Sequence, residues 1–153
     1  MTATSRKTAR GALGTLLKTA LEGTGKLAQV VYAYPPADIT ESPVVFVRSA
    51  GTASKRKGIG QTKGYNRFYF EIMVYVAAAN NDSGWTPGVA ADALDDIEAV
   101  VRDTVLANPT NAAWTNMVLA EQPTEIVRLD AVSTGGLPYD VEVIGVEMEV
   151  YDS

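Results

Sequence analysis

Apolar residues at Ala9, Leu13, Leu16, Leu17, Ala20 and Leu21 recur at the spacing that places side chains on one face of a helix. The pattern predicts a helix over about residues 8–22, with Gly23 and Gly25 suited to end it. The next apolar runs have a different rhythm. "LAQVVYAYPP" and "PVVFVR" are short, β-branched and aromatic, and the polar "PPADITES" between them is the kind of segment that links strands. In "RFYFEIMVYVAAA", Phe68, Phe70, Ile72, Val74 and Val76 alternate with Tyr69, Glu71, Met73 and Tyr75, which predicts a strand over about 67–78.

Helical spacing returns after the polar link "ANNDSGW". Thr86 followed by Pro87 reads as an N-cap and a first-turn proline. Ala90, Leu94, Ile97, Val101 and Val105 then form the apolar stripe of a helix over about 87–107, closed by "NP" at 108 and 109. "NMVLAEQPTEIVRLDAVS" reads as extended chain interrupted near Pro123, and "GGLP" as a turn into a long last strand over about 139–151. There Val146, Met148 and Val150 alternate with outward Glu147 and Glu149. Val141 and Val143 fall on the other parity, so a bulge is expected at Gly145. The order helix, three strands, helix, two or more strands predicts an α+β fold. It is expected as a single domain over 1–153, with a mostly antiparallel sheet and two helices packed on one face.

Composition removes classes of function. A chain of 153 residues holds a core without staples, burying about 68–70% of the surface its unfolded form exposes. With 46% hydrophobic and 20% charged residues, and no apolar run near the roughly 20 residues of a membrane span, a soluble globular class without a membrane partner is expected. "MTATSRKTARGALG" has cations but not the apolar core of a secretory signal, which points to the cytoplasm. The absence of cysteine removes disulfides and thiolate chemistry, and the absence of histidine removes the usual general base near neutral pH and the commonest metal ligand. No enzyme activity, catalytic residue, cofactor or metal is expected.

Charge is divided along the chain. Residues 1–67 hold eleven Lys/Arg against three Asp/Glu, and residues 68–153 hold two against fifteen. Such a division suits contact with something charged, other copies of the same chain included, although opposite charges facing each other within one fold would also account for it. The stretch "SAGTASKRKGIGQTKGYNR" at 49–67 carries five cations and no acid. It predicts a mobile basic loop at about 50–66 that orders on a partner, with Lys55, Arg56, Lys57, Lys63 and Arg67 as assembly or partner-binding residues. "GIGQTKG" is not a phosphate loop, because Lys63 precedes Gly64, no Ser or Thr follows, and a strand rather than a helix comes next. The cations would also serve nucleic acid, but only Tyr65 is at hand for base stacking. Asp92 and Asp96 are explained by the helix N-terminus, and the pairs Asp140/Glu142 and Glu147/Glu149 by a solvated sheet face. Trp85 and Trp114 read as packing or interface residues.

"VYAYPPADITESPVVFV" after an N-terminal helix, the basic glycine-containing loop, "RFYFEIMVYVAAA", the acidic helix "ADALDDIEAVVRDTV" and the final "YDVEVIGVEMEVYD" together resemble the tail-terminator (minor tail or tail-completion) proteins of long-tailed bacteriophages. The resemblance spans nearly the whole chain and lies in layout and texture rather than in one motif. It implies an α+β structural protein, not an enzyme, assembled in the host cytoplasm and located at the head-proximal end of the virion tail. It further implies a ring of six copies that ends tail-tube polymerisation, with the tube protein and a head–tail connector or head-closure protein as partners and DNA only passing through the lumen. The alternatives are another neck component, such as a head-closure or connector protein, or a small nucleic-acid-binding module.

Overall fold

The computed structural model describes residues 4–22, 26–39, 41–56, 64–78, 86–121, 123–129 and 138–151. Helix α1, Arg6–Leu21, begins where Ser5 caps it, the Oγ accepting from the Thr8 N–H at 3.1 Å. Strand β1, Val30–Tyr32, follows, then the long strands β2, Val44–Arg56, and β3, Gly64–Ala77. Helix α2, Pro87–Ala107, starts as its sequence predicts, with Thr86 as N-cap and Pro87 in the first turn. Its last turn is tied by Asn108, whose Nδ2 donates to the Thr104 carbonyl at 2.8 Å. Two short strands, β4 (Asn116–Leu119) and β5 (Ile126–Leu129), lead to β6, Tyr139–Tyr151.

These elements form an α+β domain. The six strands make one sheet in the order β1-β2-β3-β6-β4, with β5 also pairing β6, and all pairs are antiparallel except β1 with β2. Both helices lie on one face. α1 packs against β1 and β2, while α2 packs against β3, β4 and β6, so each helix covers its own lateral half of the sheet. The main core is the product of the predicted stripes. Leu13, Leu17 and Leu21 of α1 and Leu94, Ile97 and Val101 of α2 meet Phe68, Phe70, Ile72 and Val74 of β3 and Val146, Met148 and Val150 of β6. Gly14 permits the closest approach: a Cβ there would stand 2.8 Å from the Ala33 Cα, so only glycine lets α1 lie this near the chain leaving β1.

The opposite face of the sheet is also partly buried, which explains the parity of β6. Phe46, Met73, Ala77, Tyr139 and Val141 form a second, smaller cluster, with Ile39, Leu129 and Val143 packed on it. The segment entering β2 is fastened over it: the Tyr139 hydroxyl donates to the Glu41 carbonyl at 3.1 Å, and the Ala77 N–H donates to the Ser42 Oγ at 2.8 Å. The Ser42–Pro43 peptide bond is cis. Val141 and Val143 therefore face this second cluster in unbroken register with β3, and the bulge expected at Gly145 is absent. The bulge lies in β2 instead. Ser49 pairs Phe70 and Gly51 pairs Tyr69, leaving Ala50 as the extra residue.

A second correction concerns the basic loop. Its described parts are strand: β2 continues to Arg56 and β3 begins at Gly64, pairing without further interruption from Gly51–Tyr69 to Arg56–Gly64. Residues 50–56 and 64–66 are thus the far end of a β-hairpin braced by β6, whose Tyr151 pairs Tyr65. Backbone pairing to an already formed neighbour suffices to extend a strand whose own side chains are polar and small. Residues 57–63, Trp85 and the glycines expected to stop α1 lie outside the described residues.

Candidate functional site

Three of the five predicted partner-binding cations lie among the described residues. Lys55 and Arg56 are the last two positions of β2, opposite Tyr65 and Gly64. Lys57 and Lys63 lie outside the described residues. Arg67 sits back on the sheet, on the face away from the helices, between Ala53 and Glu149. Its Nη2 donates to the Glu149 Oε1 at 2.6 Å. The hydrogen bond to Glu149, then one to Tyr69, holds the guanidinium pKa above its ordinary value. Arg67 is committed within the subunit. It anchors a polar outer surface that includes Tyr65 and Tyr151, whose rings meet edge to face at 5.3 Å, and the Arg48–Glu71 ion pair at 2.6 Å.

Other cations gather where Arg67 does not. The N-terminal turns of α1 lie along the hairpin on the helix side. Arg6 Nη1 donates to the Thr52 Oγ1 at 3.0 Å, and Arg10 Nη1 donates to the Ser49 Oγ at 3.3 Å. Arg6 and Lys7 are both exposed in the first turn of α1. The sequence placed these residues 46 and 39 positions from their partners, and nothing in the linear pattern signals the contact.

The acidic half is built differently. Asp92, Asp95, Asp96 and Asp103 are exposed on α2, and Glu98 pairs Arg102 at 3.4 Å. No family model matches this chain, and no curated protein matches it. Because strand order nearly follows chain order, residues of the basic first part form the β1–β2 side of the domain with α1, and those of the acidic second part form the β6, β4 and β5 side with α2. The sequence division has become a lateral one. Two ion pairs join the halves on the face away from the helices, Arg48–Glu71 and Arg67–Glu149, both at 2.6 Å, while the interior under the helices is apolar.

One carboxyl departs from the expected solvated face. Glu142 points to the helix side and is only 4% exposed, accepting from the Thr124 hydroxyl at 2.6 Å. Burial raises its pKa. The Thr124 hydrogen bond opposes that shift, Glu98 and Asp95 add to it, and Arg102 opposes it. Next to it, where β4 ends and β5 has not begun, a cavity of about 290 Å³ is lined by Arg102, Leu119, Thr124, Ile144 and Gly145. Among the described residues no three acidic side chains converge as a metal site, and Asp92 and Asp96 are both exposed on α2. Trp114 is a core residue, 3% exposed, with Nε1 donating to the Asn108 carbonyl at 3.1 Å. No helix among the described residues is long and apolar enough to cross a membrane.

Proposed function

We propose that the chain is a structural subunit that assembles head to tail into a closed ring, and that the ring caps the tail tube of a long-tailed bacteriophage, ending its polymerisation and offering the surface that joins the head. The observation that carries the ring is the lateral division of charge, with cations at Arg6, Lys7, Lys55 and Arg56 on the β2 side and acids at Asp92, Asp95, Asp96 and Asp103 on the α2 side. A heterologous interface needs two unlike patches on one subunit, and each copy here has both. The role at a tail end rests on the resemblance in layout described above, with which the α+β domain agrees. An assembly role rather than catalysis also suits a chain without histidine or cysteine. The ring would act in the virion, at the head-proximal end of the tail, with the tube protein on one side and a connector or head-closure protein on the other.

The test is electron microscopy of the purified protein, alone and mixed with tail tubes. Rings that seat on one tube end and halt its growth are expected. Monomers that never associate and never bind a tube end would reject the reading. Rings that ignore tubes but close purified heads would favour the head-closure alternative, and salt-sensitive retention of DNA by the monomer would favour the nucleic-acid module.

A further inference from the structure

β1 shields the outer edge of β2 only at residues 44–46. Among the described residues no strand pairs with that edge over residues 47–56, although on the opposite edge every residue of the stretch but Ala50 is in register with β3. An open edge presents a row of backbone donors and acceptors to any extended chain that reaches it. The outer margins of the sheet are treated otherwise. On β1 the Val31 N–H donates to the Glu22 Oε2 at 2.7 Å, and on β4 the Met117 N–H donates to the Pro109 carbonyl at 2.9 Å. At the other side of the domain, β5 pairs only β6 among the described strands, and its Ile126 and Val127 are 54% and 44% exposed.

We propose that in the assembled ring β5 of one copy adds as a strand to the β2 edge over residues 47–56 of the next copy. Three features fit this partner. The β2 stretch is built from Ser49, Gly51, Thr52, Ala53 and Ser54, small side chains that leave room for the exposed Ile126 and Val127 of an added strand. Lys55 and Arg56 follow that stretch in the chain, whereas Glu121 and Glu125, both exposed, precede β5. The two strands belong to opposite lateral halves of one sheet, so every copy donates at one side and accepts at the other, as a closed head-to-tail ring requires. The inference rests on the ring-forming part of the function proposed above and is independent of what the ring caps.

The absence of cysteine makes a direct test simple. Ala53→Cys and Val127→Cys each alter an exposed side chain on the face away from the helices. One preparation of each is mixed and treated with a short bis-maleimide. A cross-linked dimer on a denaturing gel is expected in the mixture and not with either variant alone. A Val127→Lys variant, which brings a cation to the basic edge, should raise the concentration for half-association by about tenfold or more with an unchanged melting temperature. Rings visible by microscopy without the Ala53/Val127 product would overturn strand addition and leave the ring standing. Monomers at every concentration and at tube ends would overturn both. Cross-linked rings that do not cap tubes would support strand addition and reject only the role at the tail.

Discussion

At the scale of single residues, two glycines of the same helix make opposite demands. A Cβ at Gly14 would stand 2.5 Å from the Ala33 Cβ and 2.8 Å from its Cα, whereas a Cβ at Gly11 would meet nothing within 4 Å. Alanine gains about 1 kcal/mol over glycine in a helix interior, so Gly11→Ala should stabilise the protein by up to about that amount. At Gly14 the same gain is set against a clash with backbone that cannot rotate away. Gly14→Ala should be destabilising by about 1–3 kcal/mol, the usual cost of overpacking. Chemical denaturation of the two variants checks both signs. Glu142 supplies a second residue-scale prediction. Burial raises its folded-state pKa above the ordinary carboxyl value, so its contribution to stability is full below the unfolded pKa and declines as pH rises through the folded one. Glu142→Gln keeps an acceptor for the Thr124 hydroxyl and has no charge to bury. The melting temperature of the variant relative to the native chain should therefore rise between about pH 4 and neutral pH. An equal difference at both pH values would show that the site does not raise the pKa of the carboxyl.

At the scale of elements, both helices and the β3 and β6 strands were legible because each buries one stripe with its own period. What escaped the pattern has a physical cause in each case. β6 carries Val141 and Val143 on the face away from the helices because residues near Ile39 and Glu41 cover that face, and a strand buried on both sides loses its alternation. β2 beyond Ser49 has no apolar alternation at all, yet β3 and β6 hold it in a ladder to Arg56. Of the candidate site, the residue types were legible and their neighbours were not: Arg67 is engaged by Glu149 from 82 positions away. The close of α2 is a further element-level device, since buried Trp114 donates to the Asn108 carbonyl where the helix stops. Trp114→Phe should cost about 1–3 kcal/mol, combining lost volume with an acceptor left unpaired. Loss of protection in amide hydrogen exchange should concentrate at the C-terminal turn of α2 and at β4.

At the scale of the whole molecule, the sheet converts chain order into position, and with it a charge sequence into two unlike sides. Such an arrangement separates folding from assembly. The core that holds the domain is formed by both helices with β3 and β6, and the residues that make it are apolar. Replacing Lys55, Arg56, Lys57 and Lys63 together by alanine should thus leave the melting temperature within a few degrees, an exposed-site effect of about 0.5 kcal/mol or less per residue. Ring closure should suffer, because the β2 side would meet the acids of the next copy with most of its hairpin charge gone, and raised salt should mimic the substitution in the native chain. Sedimentation across a range of protein and salt concentrations reads the association, and calorimetry on the same samples reads the fold. If the quadruple variant forms rings at the native concentration and still caps tubes, these cations do not act in assembly. Two readings would then be left: a contact with DNA in the lumen, seen as rings that form and cap normally while genome passage fails, or an idle basic segment whose loss changes neither.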